Sequence, residues 1–198
     1  MSRNYAEKTI RNSKPQQCEI MSKTLVLYKT TSGYTKKYAQ WISEALAADL
    51  SESKDFDASK LRDYDLIIFG GSLHAVGISG VKVIKDNLPK FTDKTTIVFA
   101  VGASPPRENI HQEVFGKNFT AEQQKSIKFF YLRGGFDYKK LDFPNKFLMT
   151  LMRVRLLLKK KEKRTPDEIG LLAAFSKPID CTRKENITRI IEYAKSPK

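Results

Sequence analysis

Cysteine is scarce in this chain: Cys18 and Cys181 stand far apart in 198 residues and match no metal-ligand or redox spacing. That excludes a disulfide framework and points to a reducing compartment. Histidine is equally scarce, with only His74 and His111, and no metal site is expected. No run of eighteen apolar residues occurs, so no transmembrane helix is expected. The first twenty residues, MSRNYAEKTIRNSKPQQCEI, hold no apolar block of the kind a signal peptide needs. Residues 1–22 read as a polar leader, with Met21 an alternative start. Acidic residues are also short, 22 against 36 Lys and Arg, for a net charge of +14. Such an excess points toward a polyanion, an anionic membrane surface or an acidic ligand.

What is present is an ordinary globular composition, 40% hydrophobic and 29% charged, in a length that suits one core. Residues 23–198 read as one domain. From Thr24 onward apolar runs alternate with amphipathic segments, the pattern of a parallel sheet covered by helices on both faces. Strands are expected at Thr24–Tyr28, in SESKDFDASKL (short and weak), in YDLIIFGGS, in KTTIVFAVGAS and in IKFFYLRGGF. Helices are expected from Thr35 to about Ala48, near Val81–Leu88, from Ile110 to Gln124, and from Glu185 to about Lys195. A direct crossover after the fifth strand needs only a few residues. Here nearly fifty, about 137–184, form an insertion containing NKFLMTLMRVRLLLKKKEKR.

Ligands of such sheets sit at the carboxyl ends of the strands, where the strand order reverses. The loop after the first strand, Thr30-Thr31-Ser32-Gly33-Tyr34-Thr35, has four hydroxyls and one glycine at a helix start. Free N–H groups and the positive dipole end there suit a phosphate. The plainer alternative is a Ser/Thr helix cap, which needs only one of these residues. The loop lacks both the Gly-Lys-Ser/Thr of a P-loop and the Gly-x-Gly-x-x-Gly of a dinucleotide site.

Thr30–Thr35 resembles the phosphate loop of flavodoxin-like proteins, which bind FMN. YDLIIFGGSLHAVG is similar to their third strand and flavin loop. More specifically, that stretch and RGGFDYKKLDFPNKFLMTLM resemble the menaquinone-dependent protoporphyrinogen dehydrogenases. The resemblance implies a doubly wound five-stranded sheet of order 2-1-3-4-5 with a long insertion after strand 5. It implies that Thr30, Thr31, Ser32, Gly33, Tyr34 and Thr35 hold the FMN phosphate. Ser72, Leu73, His74, Ala75, Val76 and Gly77 would line one side of the flavin ring, and Val101, Gly102, Ala103 and Ser104 the other. His74 either stacks on the ring or moves protons near it, or else is a loop residue that faces water or merely shields the ring, and His111 is expected at the surface.

Within Asn145–Arg164 eight Lys or Arg face one acid, Glu162, beside a broad apolar face. The segment either packs on the sheet or flavin site, lies on an anionic membrane, or forms a lid for an acidic substrate. The family resemblance implies electrons passing from a carboxylated tetrapyrrole through FMN to a membrane quinone. Arg133, Lys139, Lys140, Lys146 and Arg153 are the candidates for the substrate carboxylates. The expected setting is cytoplasmic, peripheral on the inner membrane face, with no nucleic acid partner. A non-enzymatic electron carrier, or a reductase of another quinone, is the alternative.

Overall fold

The computed structural model describes residues 23–91, 93–141 and 143–196; the expected leader, residues 1–22, lies outside them. The chain runs β1 (Thr24–Lys29), α1 (Tyr34–Leu46), β2 (Asp49–Glu52), β3 (Leu66–His74), β4 (Gly77–Ile78), α2 (Lys82–Asn87) and β5 (Thr95–Gly102). It continues with α3 (Ile110–Asn118), α4 (Ala121–Lys125), β6 (Ile127–Arg133), β7 (Gly135–Phe136) and α5 (Phe143–Leu158). It ends with α6 (Pro166–Ala174), β8 (Ile179–Asp180) and α7 (Thr188–Lys195).

The five long strands pair in parallel in the order β2-β1-β3-β5-β6, and the short β4 turns back antiparallel on β3. This is the expected doubly wound sheet. Its central strands are apolar throughout because both faces are covered. Successive residues alternate between two cores. Leu25, Leu27, Ile67, Phe69, Val98 and Ala100 face α2 and α3. Val26, Ile68, Ile97 and Phe99 face α1 and α7.

Several boundaries differ from those expected, three of them instructively. The second strand is DLSE, starting two residues before the expected segment, and its pairing to β1 rather than any apolar pattern defines it. The expected helix Ile110–Gln124 is two helices, because Thr120 ends the first and caps the second. Thr120 accepts from Gln123 N–H while the Gln123 side chain accepts from Thr120 N–H. The first helix ends at Leu46 rather than at about Ala48, and Leu50 belongs to β2.

The insertion leaves and rejoins the domain through an antiparallel ribbon, β7 with β8, in which Gly135 faces Asp180. Inside it α5 and α6 pack together. Arg164 closes the end of α5 by donating to the carbonyls of Leu157 (2.9 Å) and Lys159 (3.1 Å). Among the described residues no helix is long and apolar enough to cross a membrane.

Candidate flavin site

The carboxyl ends of β1, β3 and β5 bring three loops together, and Ser72 is their joint. Its Oγ accepts from the Thr31 N–H (3.2 Å) and shares a buried hydrogen bond with Thr35 Oγ1 (2.9 Å). The N-cap of α1 is Gly33, with φ of 90° and no side-chain cap. A glycine takes that left-handed conformation without strain, and the plain Ser/Thr cap is therefore absent here. The first helical hydrogen bond at this end runs from Lys37 N–H to Gly33 C=O, at 3.1 Å. The N–H groups of Tyr34, Thr35 and Lys36 consequently have no carbonyl within the helix. No acid stands in the first turn of α1. The loop presents donors, hydroxyls and the positive end of a helix, which is a fit for a phosphate monoester.

His74 ends β3 and hydrogen-bonds Thr31 Oγ1 through Nε2 at 3.0 Å, tying the second loop to the first. The hairpin from His74 to Gly77 turns at Ala75, whose φ is 52°. Asn118 holds that turn from behind, donating to the Val76 and Val114 carbonyls (2.6 and 2.7 Å) and accepting from Ile78 N–H (2.9 Å). The third loop is pinned by Tyr131, whose hydroxyl donates to the Ser104 carbonyl at 2.8 Å. Burial raises the pKa of Tyr131 above the ordinary phenol value, against the opposing pull of Arg133 and Arg107, so it stays a neutral donor.

These loops enclose a cavity of about 560 Å³, inside the roughly 300–1,000 Å³ range of small-molecule sites. Thr31, Ser32, Tyr34, Thr35, Ser72, Leu73, His74, Ala75, Val101, Gly102, Ala103 and Ser104 line it. Thr30, Gly33, Val76 and Gly77 stand back from its wall; Thr30 Oγ1 instead accepts from Gly33 N–H at 3.0 Å. The ribbon supplies Phe136 to the roof, and the insertion supplies Leu141, Asn145, Leu148, Met149 and Met152.

None of the five cations expected at the substrate lines the cavity. Lys139 is exposed, and Lys146 sits on α5 away from the cavity lining. Lys140 lies 3.8 Å from Asp137 and over the Tyr34 ring, and Arg153 lies over Phe175. Arg133 has its Nε buried without a hydrogen-bond partner among the described residues. Arg107, absent from the sequence reading, does line the cavity and pairs with Glu113 at 2.8 Å. His111 is at the surface, as expected, with its Nε2 3.0 Å from the Phe129 carbonyl.

The insertion is tied to the loop helix at several points. Tyr34 donates to the Ile179 carbonyl (3.1 Å), and Lys37 pairs with Asp180 (2.9 Å). Burial pushes the Asp180 carboxyl up, but its bonds to Thr182 and Lys37 outweigh this and hold it below the usual range. Gly135 lets ribbon and helix approach closely, since any Cβ there would run into the Ile179 carbonyl and the Tyr34 ring.

A parallel sheet of this order, with an anion-accepting loop after its first strand and a cavity at its reversal point, defines a flavodoxin-like α/β protein. The chain belongs to the flavodoxin domain family, whose model matches residues 25–165. Solved structures similar to it include a flavodoxin from the domain Archaea, at 17% identity over 57% of this chain and 85% of that one, with a TM-score of 0.39. Flavodoxin 2 from Bacillus cereus is 22% identical over 57% and 84%, with a TM-score of 0.41. A flavoprotein in complex with FMN from Lactobacillus acidophilus is 19% identical over 57% and 92%, with a TM-score of 0.40. A comparison with curated proteins gives no match.

Proposed function

We propose that the protein is an FMN-dependent oxidoreductase that passes electrons between a small substrate and a membrane quinone, in the manner of the protoporphyrinogen dehydrogenases it resembles. The observation that carries this is the roofed cavity. A carrier that meets protein partners needs only the edge of its flavin to be reachable. Here Leu141, Asn145, Leu148, Met149 and Met152 close over the three loops, which suits a substrate bound beside the ring and shielded from water.

Bound FMN supplies the electron chemistry itself. The chain's own residues do the holding. Ser32, the Thr35 hydroxyl and the first-turn amides of α1 receive the phosphate. Ser72–Ala75 and Val101–Ser104 flank the ring, with their backbones fixed by Asn118 and Tyr131. His74, bonded to Thr31, shields one side. Arg107 is assigned to a substrate carboxylate because it lines the cavity.

The test is anaerobic reduction of the FMN-loaded protein by protoporphyrinogen, followed by reoxidation with a menaquinone analogue, both read in the flavin absorbance. Reduction and reoxidation are the expected results. A flavin that stays oxidised would overturn the substrate and leave an electron carrier or a reductase of another compound.

Gly33 offers a separate check on the cofactor. The substitution Gly33→Val forces a β-branched side chain to a φ of 90°, which costs about 1–2 kcal/mol. The loop is expected to shift to relieve this and FMN binding to weaken about five- to thirtyfold, as a fluorescence-quenching titration would show. Unchanged affinity would remove the loop from the phosphate site.

A further inference from the structure

Helix α5 is apolar on two opposite sides. Leu156 is buried, and Asn145, Met149 and Met152 beside it line the cavity. Phe143, Phe147, Leu151, Val154 and Leu158 follow at steps of three or four residues. At 3.6 residues per turn they form one stripe, on the side away from Leu156. These five are 83%, 68%, 59%, 47% and 83% exposed, so the described residues leave the stripe largely open. A continuous apolar stripe on a folded domain marks a surface that meets something else.

The flanks of the stripe are basic. Lys146 and Arg153 lie along one side and Arg155 and Lys159 along the other, while Lys160, Lys161 and Lys163 follow its end. Of these, Lys159 is engaged with Glu168 and Arg153 with the Phe175 ring. We propose that this stripe docks the protein on an anionic lipid surface, with α5 lying in the headgroup plane.

Charge decides between the possible occupants. Pairing of two copies through the stripe would set eight cations and one acid of residues 145–164 against the same set. Anionic headgroups instead attract each Lys or Arg, and long basic side chains reach up to them while the apolar side sinks. The geometry also bears on the cavity, resting there on the flavin reading above. Leu148 and Met152 line the cavity and are 58% and 42% exposed. The helix that meets the lipid therefore also forms the cavity rim, and an apolar electron partner dissolved in the bilayer enters from that side.

The test uses the full chain loaded with FMN and phosphatidylcholine vesicles with or without phosphatidylglycerol. Co-sedimentation is expected only with the anionic vesicles, weakening as salt rises. The double variant Phe147→Asp/Leu151→Asp changes exposed positions off the cavity wall and is expected to lower vesicle affinity at least about tenfold with FMN binding unchanged. The triple variant Lys160→Ala/Lys161→Ala/Lys163→Ala is expected to lose about tenfold or more, mainly at low salt. Failure to sediment with anionic vesicles at low salt would overturn the proposal. So would sedimentation that the double variant retains, since net charge alone would then explain it. A dimer in light scattering that this variant dissolves, without vesicle binding, would instead assign the stripe to a second copy. Flavin binding is read independently of all three, so loss of the cofactor reading would not be mistaken for loss of the docking surface.

Discussion

Replacing Ser32 by glutamate is expected to lower FMN affinity by about a hundredfold to a thousandfold while leaving riboflavin affinity nearly unchanged. Ser32 lines the cavity next to the start of α1, where no acid occurs in the first turn. A carboxylate there occupies the place of the phosphate and repels it. Two unit charges about 4 Å apart interact by roughly 4 kcal/mol at an effective dielectric near 20. A lost charge-assisted hydrogen bond adds about 1.5–3 kcal/mol; solvent at the loop reduces the total, which gives the range stated. Riboflavin has no phosphate and serves as the internal control in the same fluorescence titration. A second readout moves the other way. A carboxylate near a helix N-terminus stabilises the helix by about 0.3–1 kcal/mol, so the cofactor-free variant is expected to melt no lower than the parent. Equal losses for FMN and riboflavin would show a damaged fold, and unchanged FMN affinity would place the phosphate elsewhere.

The elements legible in the sequence are those whose burial comes from their own pattern. β1, β3 and β5 are continuous apolar runs bounded by turns, and each lies within one or two residues of its expected span at the start of the strand. β2 is harder, because DLSE holds one large apolar residue and exists through pairing with β1. The break between α3 and α4 is readable in principle, since Thr120-Ala121-Glu122-Gln123 is a capping-box sequence. Gly116, the more conspicuous breaker, lies inside α3 and does not end it.

The site divides along the same line. The three loops follow from strand ends and strand order, and twelve of their sixteen expected residues line one cavity. Arg107, Asn118 and Tyr131 carry no local signal. Asn118 reads as a polar residue near a helix end, and only the packing of α3 against β4 turns it into the support of the Val76 turn. The insertion shows the limit most clearly. Its composition gives an apolar, basic helix, but composition does not say which apolar side is covered. The ribbon β7–β8 settles that by holding α5 over the cavity, with Leu156 inward and Phe143, Phe147 and Leu158 outward.

Tyr38→Phe is expected to destabilise the protein by about 2–3 kcal/mol, the sum of its lost hydrogen bonds and the groups left unpaired. Tyr38 is fully buried on α1, in a T-shaped contact with Trp41. Its hydroxyl donates to the Arg133 carbonyl at 2.7 Å and accepts from the Asn186 amide at 2.7 Å and, more weakly, the Arg183 N–H at 3.4 Å. Arg133 precedes the insertion, Arg183 lies at its end and Asn186 follows it, so one phenol joins both ends of the insertion to the helix that starts at the phosphate loop. Phenylalanine keeps the ring and its packing, which isolates the hydroxyl. For a domain of this size the loss corresponds to a fall in Tm of about 4–12 °C. The same substitution is expected to raise hydrogen exchange at the ribbon amides, Phe136 and Cys181 among them, more than at β3 or β5, because the sheet core keeps its own pairing. FMN is expected to weaken by less than about tenfold, since Tyr38 does not line the cavity and acts only through the position of the roof. A melting point within a degree or so of the parent would show that these bonds add nothing to stability and that the insertion is held by its other ties, those of Tyr34 and Lys37 among them.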